Sequence, residues 1–102
     1  MEKTTTVKTI DINAKEWFDK VNGNSYFSAL VVINFGMEDE QTIKLPFQYG
    51  YGNQYTHEAF AQLKKQGFLA DTGYAFLRDN GIIVREFKEK NCKQRDCKAF
   101  VK

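Results

Sequence analysis

The 102 residues, 42% of them hydrophobic and 15% aromatic, suit one packed domain over residues 1–102 and exclude both two independent cores and global disorder. The longest apolar run, residues 29–33, is far shorter than the roughly 20 residues of a membrane span. The opening Met1-Glu2-Lys3-Thr4-Thr5-Thr6 lacks the apolar segment and cleavage site of a secretory signal, so the expected compartment is the cytoplasm.

Residues 4–12, rich in Thr, Val and Ile, read as a first strand. Asn13 then offers an N-cap, Glu16 completes a capping-box spacing, and Ile12 with Trp17 fits a hydrophobic staple. With Ala14, Trp17, Phe18 and Val21 at i, i+3, i+4 and i+7, these signals predict a helix over 13–21, its Trp17 buried, ended by Asn22-Gly23-Asn24. Residues 25–35 are apolar on both faces, as a central strand requires. After the polar turn Gly36-Met37-Glu38-Asp39-Glu40, residues 41–47 resume alternation with Ile43, Leu45 and Phe47 on one face, predicting an antiparallel hairpin. Pro46 removes a ladder donor, so that strand should be an edge strand or should end near it.

A helix follows over 56–66, with Ala59, Phe60 and Leu63 inward. Gly67 is placed as its left-handed stop, and Phe68 is placed to close on Leu63. The same device recurs at Gly81, where Ile82 can meet Leu77 after a short helix over 73–80. Residues 82–88 read as a strand that joins the sheet, and residues 91–102 as a basic, weakly helical tail that Phe100 could anchor. The expected fold class is α+β: a single small domain, a mainly antiparallel sheet of about four strands with two main helices packed on it, ahead of a small open barrel.

Charge is distributed unevenly. The net charge is +2, but residues 85–102 carry seven basic side chains against three acidic ones. Lys88, Lys90, Lys93, Arg95 and Lys98 could line one phosphate-contacting surface, although Glu86, Glu89 and Asp96 dilute the field and a solvated tail is the simpler reading. Cys92 and Cys97 are expected as free thiols.

Between the hairpin and the helix lies Pro46-Phe47-Gln48-Tyr49-Gly50-Tyr51-Gly52-Asn53-Gln54-Tyr55. Gly50-x-Gly52 imitates a dinucleotide fingerprint. The imitation fails because Tyr55 stands at the third glycine position, no parallel βαβ series surrounds it, and Glu58 would repel a phosphate. Tyr49, Tyr51 and Tyr55 can instead form a contact surface for a partner or for bases, or their rings can cover the sheet with only the hydroxyls in water. Lys93 and Arg95 complete the candidate binding set.

Catalytic signals are poor. His57 is the only histidine, no serine sits in a nucleophile elbow, and pairing Cys92 or Cys97 with His57 has no local signature, so no catalytic residue, cofactor or metal site is expected.

Trp17 followed by Val21-Asn22-Gly23-Asn24-Ser25-Tyr26, the Pro-Phe-Gln-Tyr-Gly-Tyr-Gly core of residues 45–55, and Asn91-Cys92-Lys93-Gln94-Arg95 together resemble small accessory proteins encoded by bacteriophages and prophages. The resemblance implies a phage-encoded, non-enzymatic binding protein in the bacterial host cytoplasm. Its partner would be a host protein or ribonucleoprotein complex, and its task inhibition of a defence or regulatory assembly, of the anti-CRISPR type. The alternative is a small nucleic-acid-binding protein using the basic tail and the tyrosine loop. No membrane partner is expected, and the oligomeric state is left open.

Overall fold

A computed structural model describes residues 7–69 and 73–101, so Thr4 to Thr6 of the expected first strand and Lys102 of the tail lie outside the described residues. Where a helix was expected over 13–21, the chain stays extended: β1 runs unbroken through Thr9–Asp19. The capping signals at Asn13 and Glu16 are local, whereas β1 has neighbours on both sides. It pairs antiparallel with β2 (Asn24–Ile33) and parallel with β4 (Ile83–Glu89). Two ladders satisfy far more backbone than one short helix could, so tertiary pairing overrides local propensity. A period of two was present all along: Ile10, Ile12 and Ala14 are buried on one face, while Val21, a member of the supposed helical stripe, is almost wholly exposed in the turn. In that turn Asp19 Oδ1 accepts the Val21 and Asn22 amides at 3.0 and 3.3 Å, and Gly23 takes φ +71°.

β3 (Gln41–Tyr49) completes a four-stranded mixed sheet in the order β3-β2-β1-β4. The hairpin of β2 and β3 is antiparallel as expected, and Pro46 sits on an edge strand. Between them Asn34, buried at φ 56°, ends β2 and presents Oδ1 to the Lys8 and Thr9 amides at 2.7 and 3.3 Å. Asparagine tolerates this left-handed backbone, and its side chain holds the start of β1.

Helix α1 (Gln54–Lys65) packs on one sheet face through Tyr55, Ala59 and Leu63, spaced i, i+4, i+8, against a core that includes Ile10, Ile12, Phe27, Val31 and Leu45. It ends in a Schellman motif: the Phe68 amide bonds Leu63 O at 2.9 Å, the Gly67 amide bonds Lys64 O at 3.1 Å, and Gly67 has φ 83°. Helix α2 (Tyr74–Asp79) ends the same way, with Ile82 N–H on Leu77 O at 2.9 Å and Gly81 N–H on Arg78 O at 3.1 Å. The tail is more ordered than its sequence suggests. Helix α3 (Gln94–Phe100) lies across the opposite sheet face, with Cys97 buried and its carbonyl accepting the Ser28 hydroxyl, also buried. The result is a single α+β domain, a mixed sheet with helices on both faces. Among the described residues no helix is long and apolar enough to cross a membrane.

Candidate binding surface

The ladder between β2 and β3 is irregular. Ala29 faces Leu45, yet Phe27 faces Gln48, so β3 carries an extra residue around Pro46 and Phe47. A bulge of this kind reverses which side chains face which side. Ile43 and Leu45 stay in the core, while Phe47, expected on their face, joins the α3 side together with Tyr49. Proline belongs at such a site because its missing N–H breaks the ladder anyway.

The reversal assembles four rings from three strands. Trp17 and Tyr26, directly paired across β1 and β2, have ring centroids 5.6 Å apart, and Tyr26 stacks on Phe47 at 5.4 Å with 10° between planes. Tyr49 meets Tyr26 edge-on at 5.7 Å, and Trp17 reaches Phe47 at 6.2 Å. Offset and edge-to-face geometries each add to simple burial. Lys98, on α3, holds its ammonium 5.3 Å above the Phe47 ring. Arg95, three residues before Lys98, lies on the same flank of α3.

The three loop tyrosines separate. Tyr49 and Tyr51 are 58% and 71% exposed, whereas Tyr55, expected among the contact residues, is 9% exposed and belongs to the core. Its place in the first turn of α1, one and two turns from Ala59 and Leu63, points it at the sheet. The glycines around these tyrosines also have architectural causes. A Cβ on Gly50 would come within 2.6 Å of Phe27 Cε1, and Gly52 has φ +63°.

The basic tail divides as well. Lys88 faces inward: Nζ bonds Glu16 Oε2 at 3.0 Å and Gly52 O at 2.7 Å, and stands 5.6 Å from the Tyr55 ring centroid. Lys93 occupies the N-cap position of α3, its carbonyl accepting the Asp96 and Cys97 amides, and its side chain, like those of Lys90 and Arg95, is exposed. The structure therefore brings together Tyr49, Lys98 and the flank bearing Arg95. Tyr51 lies just beyond the end of β3, and Tyr55 and Lys88 are inside. Trp17, Tyr26 and Phe47 are half-buried residues of this surface that the sequence assigns to buried faces; for Phe47 the available signal is Pro46, which permits a bulge immediately before it.

Reactive groups are restrained rather than activated. Burial pushes the Cys97 thiol up to about 11, and burial together with a hydrogen bond to Glu89 raises that of Cys92. Both cysteines are free thiols, but elevation of this kind works against the thiolate that nucleophilic chemistry needs. His57 is exposed and lines an open groove of about 910 Å³ between α1, α2 and β4, with Phe60, Leu77 and Val84 below and Lys64 and Glu86 beside it. Among the described residues no three His, Cys, Asp or Glu side chains are grouped to hold a metal ion.

No protein-family model matches the chain, and neither a curated protein nor a solved structure is significantly similar to it.

Proposed function

We propose that this protein is a phage-encoded, non-enzymatic binding protein that occupies a surface on a bacterial macromolecular complex, a host defence assembly foremost. The observation that carries this reading is the ring cluster of Trp17, Tyr26, Phe47 and Tyr49, with Lys98 above Phe47 and Arg95 three residues before Lys98 on the same helix. Aromatic and cationic side chains of these types dominate the energetics of protein interfaces, most of all when their conformations are fixed before the partner arrives. Here mutual stacking on a β scaffold fixes them. Inhibition by occupancy needs no nucleophile, in keeping with thiols whose ionisation is suppressed.

The test uses the whole chain as bait in lysate of a phage-susceptible bacterium, alongside its expression in cells challenged by a restricted phage. A specific protein complex captured in moderate salt and after nuclease treatment, lost with Tyr49→Ala, together with relieved restriction, is the expected result. Capture that nuclease abolishes and that weakens steeply with salt would replace this reading with nucleic-acid binding through the tail.

A further inference from the structure

β4 is the most exposed strand of the sheet. Among the described residues it has no neighbour beyond β1, so it forms one edge of the sheet. Ile83 and Phe87 are 58% and 61% exposed on the α3 side, and Glu86 is exposed on the other. The Ile83 amide bonds Lys8 O at 3.0 Å, so the odd-numbered residues of β4 direct their backbone groups to β1. Val84, Glu86 and Lys88 therefore turn their N–H and C=O groups outward. An exposed edge bearing apolar side chains is a template for a further strand.

The order of charges along Ile83-Val84-Arg85-Glu86-Phe87-Lys88-Glu89 decides which strand fits. For two antiparallel copies related by a twofold axis, a register centred on Arg85, Glu86 or Lys88 sets that charged residue against itself. A register centred on Phe87 sets Phe87 against Phe87 and Arg85 against the partner's Glu89, while Lys88, opposite the partner's Glu86, keeps its ammonium on Glu16 of its own chain. Opposite charges directly across a ladder favour pairing and like charges oppose it. In the same register Glu86 and Lys88 form hydrogen-bonded pairs, and Phe87 falls at the non-hydrogen-bonded position, where side chains approach most closely. Arg85 and Glu89 already contact Asp11 and Lys15 on β1, but their side chains remain 58% and 54% exposed.

We propose that two copies of this chain associate through β4, antiparallel about Phe87, to form one continuous sheet. The partner is a second copy rather than a foreign peptide because the strand is self-complementary in this one register. The surface is separate from the aromatic cluster, so the proposal stands independently of the function proposed above.

Sedimentation equilibrium of the full chain, over a wide concentration range, is expected to show reversible dimers. Phe87→Lys, which places like charges at the axis but changes a side chain exposed in the monomer, is expected to weaken dimerisation at least tenfold while leaving circular dichroism unchanged. Phe87→Cys in a Cys92→Ser background is expected to form an interchain disulfide on mild oxidation, because non-hydrogen-bonded partners lie at about 4.5 Å between Cα atoms. Arg85→Cys in the same background is not. A monomer at every concentration overturns the proposal; so does a dimer indifferent to Phe87→Lys, or cross-linking through residue 85 rather than 87.

Discussion

Lys88 and Glu16 form an ion pair, Nζ to Oε2 at 3.0 Å, with both side chains almost withdrawn from water. The same ammonium bonds Gly52 O at 2.7 Å, so one side chain joins β4 to β1 and to the loop before α1. Lys88→Met removes the charge and strands the Glu16 carboxylate, and the expected loss is about 3 kcal/mol, toward the lower end for a broken buried pair because a little solvent reaches it. Urea unfolding of the two proteins measures it. A variant as stable as the parent would show that the pair contributes no net stability.

Tyr51 and Tyr55, four residues apart, are expected to respond oppositely to truncation. Tyr51→Ala removes an exposed ring and should change stability by less than about 0.5 kcal/mol. Tyr55→Ala opens a cavity beneath α1 and Lys88 and should cost about 3 kcal/mol. Thermal melting of both variants checks the contrast, and equal melting temperatures would refute the division of the loop into surface and core.

The two thiols should be kinetically distinct. Cys97, raised to about 11 by burial under α3, is expected to resist a disulfide reagent at pH about 8, whereas Cys92 reacts slowly because burial and Glu89 also raise it. Both should react at once in denaturant. Rapid labelling of both thiols in the folded protein would mean that α3 does not stay seated on the sheet.

Acid stability should depend on Asp19. Hydrogen bonds from Asn22 and Val21 hold its carboxyl below the ordinary aspartate value of 3.8. The native state therefore binds fewer protons, and the contribution is present above the ordinary value and lost as pH falls through the native one. Asp19→Asn is expected to flatten the decline of the urea midpoint below pH about 4. At the alkaline end the sign reverses. Lys15, raised chiefly by its hydrogen bond to Glu89, contributes stability present below 10.5 that fades as pH climbs through its native value. An Asp19→Asn midpoint that declines as steeply as the parent's would show that the turn's hydrogen bonds do not persist in solution.

What was legible in the sequence was local. Gly67 with Phe68 and Gly81 with Ile82 announce helix ends because a Schellman motif involves six consecutive residues, and both motifs form as read. The β2–β3 hairpin and the edge position of Pro46 follow from alternation and a missing donor. Illegible features depend on distant residues. Asn13, Glu16 and Trp17 spell a helix start, but β4, some seventy residues away, gives β1 its second ladder and keeps it extended. Phe47 changes sides through an insertion in a ladder, which no alternation pattern records. The glycines around Tyr51 resembled a loop shaped for contact; Gly50 is needed instead for its closeness to Phe27, a neighbour visible only once the strands have paired.

The position of β1 between an early and a late partner also orders the folding of the chain. β1, β2 and β3 are successive hairpin neighbours and can zip from their turns. β4 can reach β1 only by closing a loop such as the one between Lys15 and Glu89, separated by 74 positions. Closure over that length costs about 4 kcal/mol of chain entropy before a single parallel bond forms. Docking of β4 is therefore expected as the late event, and its release as the first step of unfolding. Between the two, the edge of β1 that includes Ile10 and Ile12 has no ladder partner, and a long apolar strand edge left open in this way invites irregular pairing with other chains. Arg85, Lys88 and Glu89, each tied to a side chain of β1, shorten the lifetime of that state by holding the last strand where it arrives.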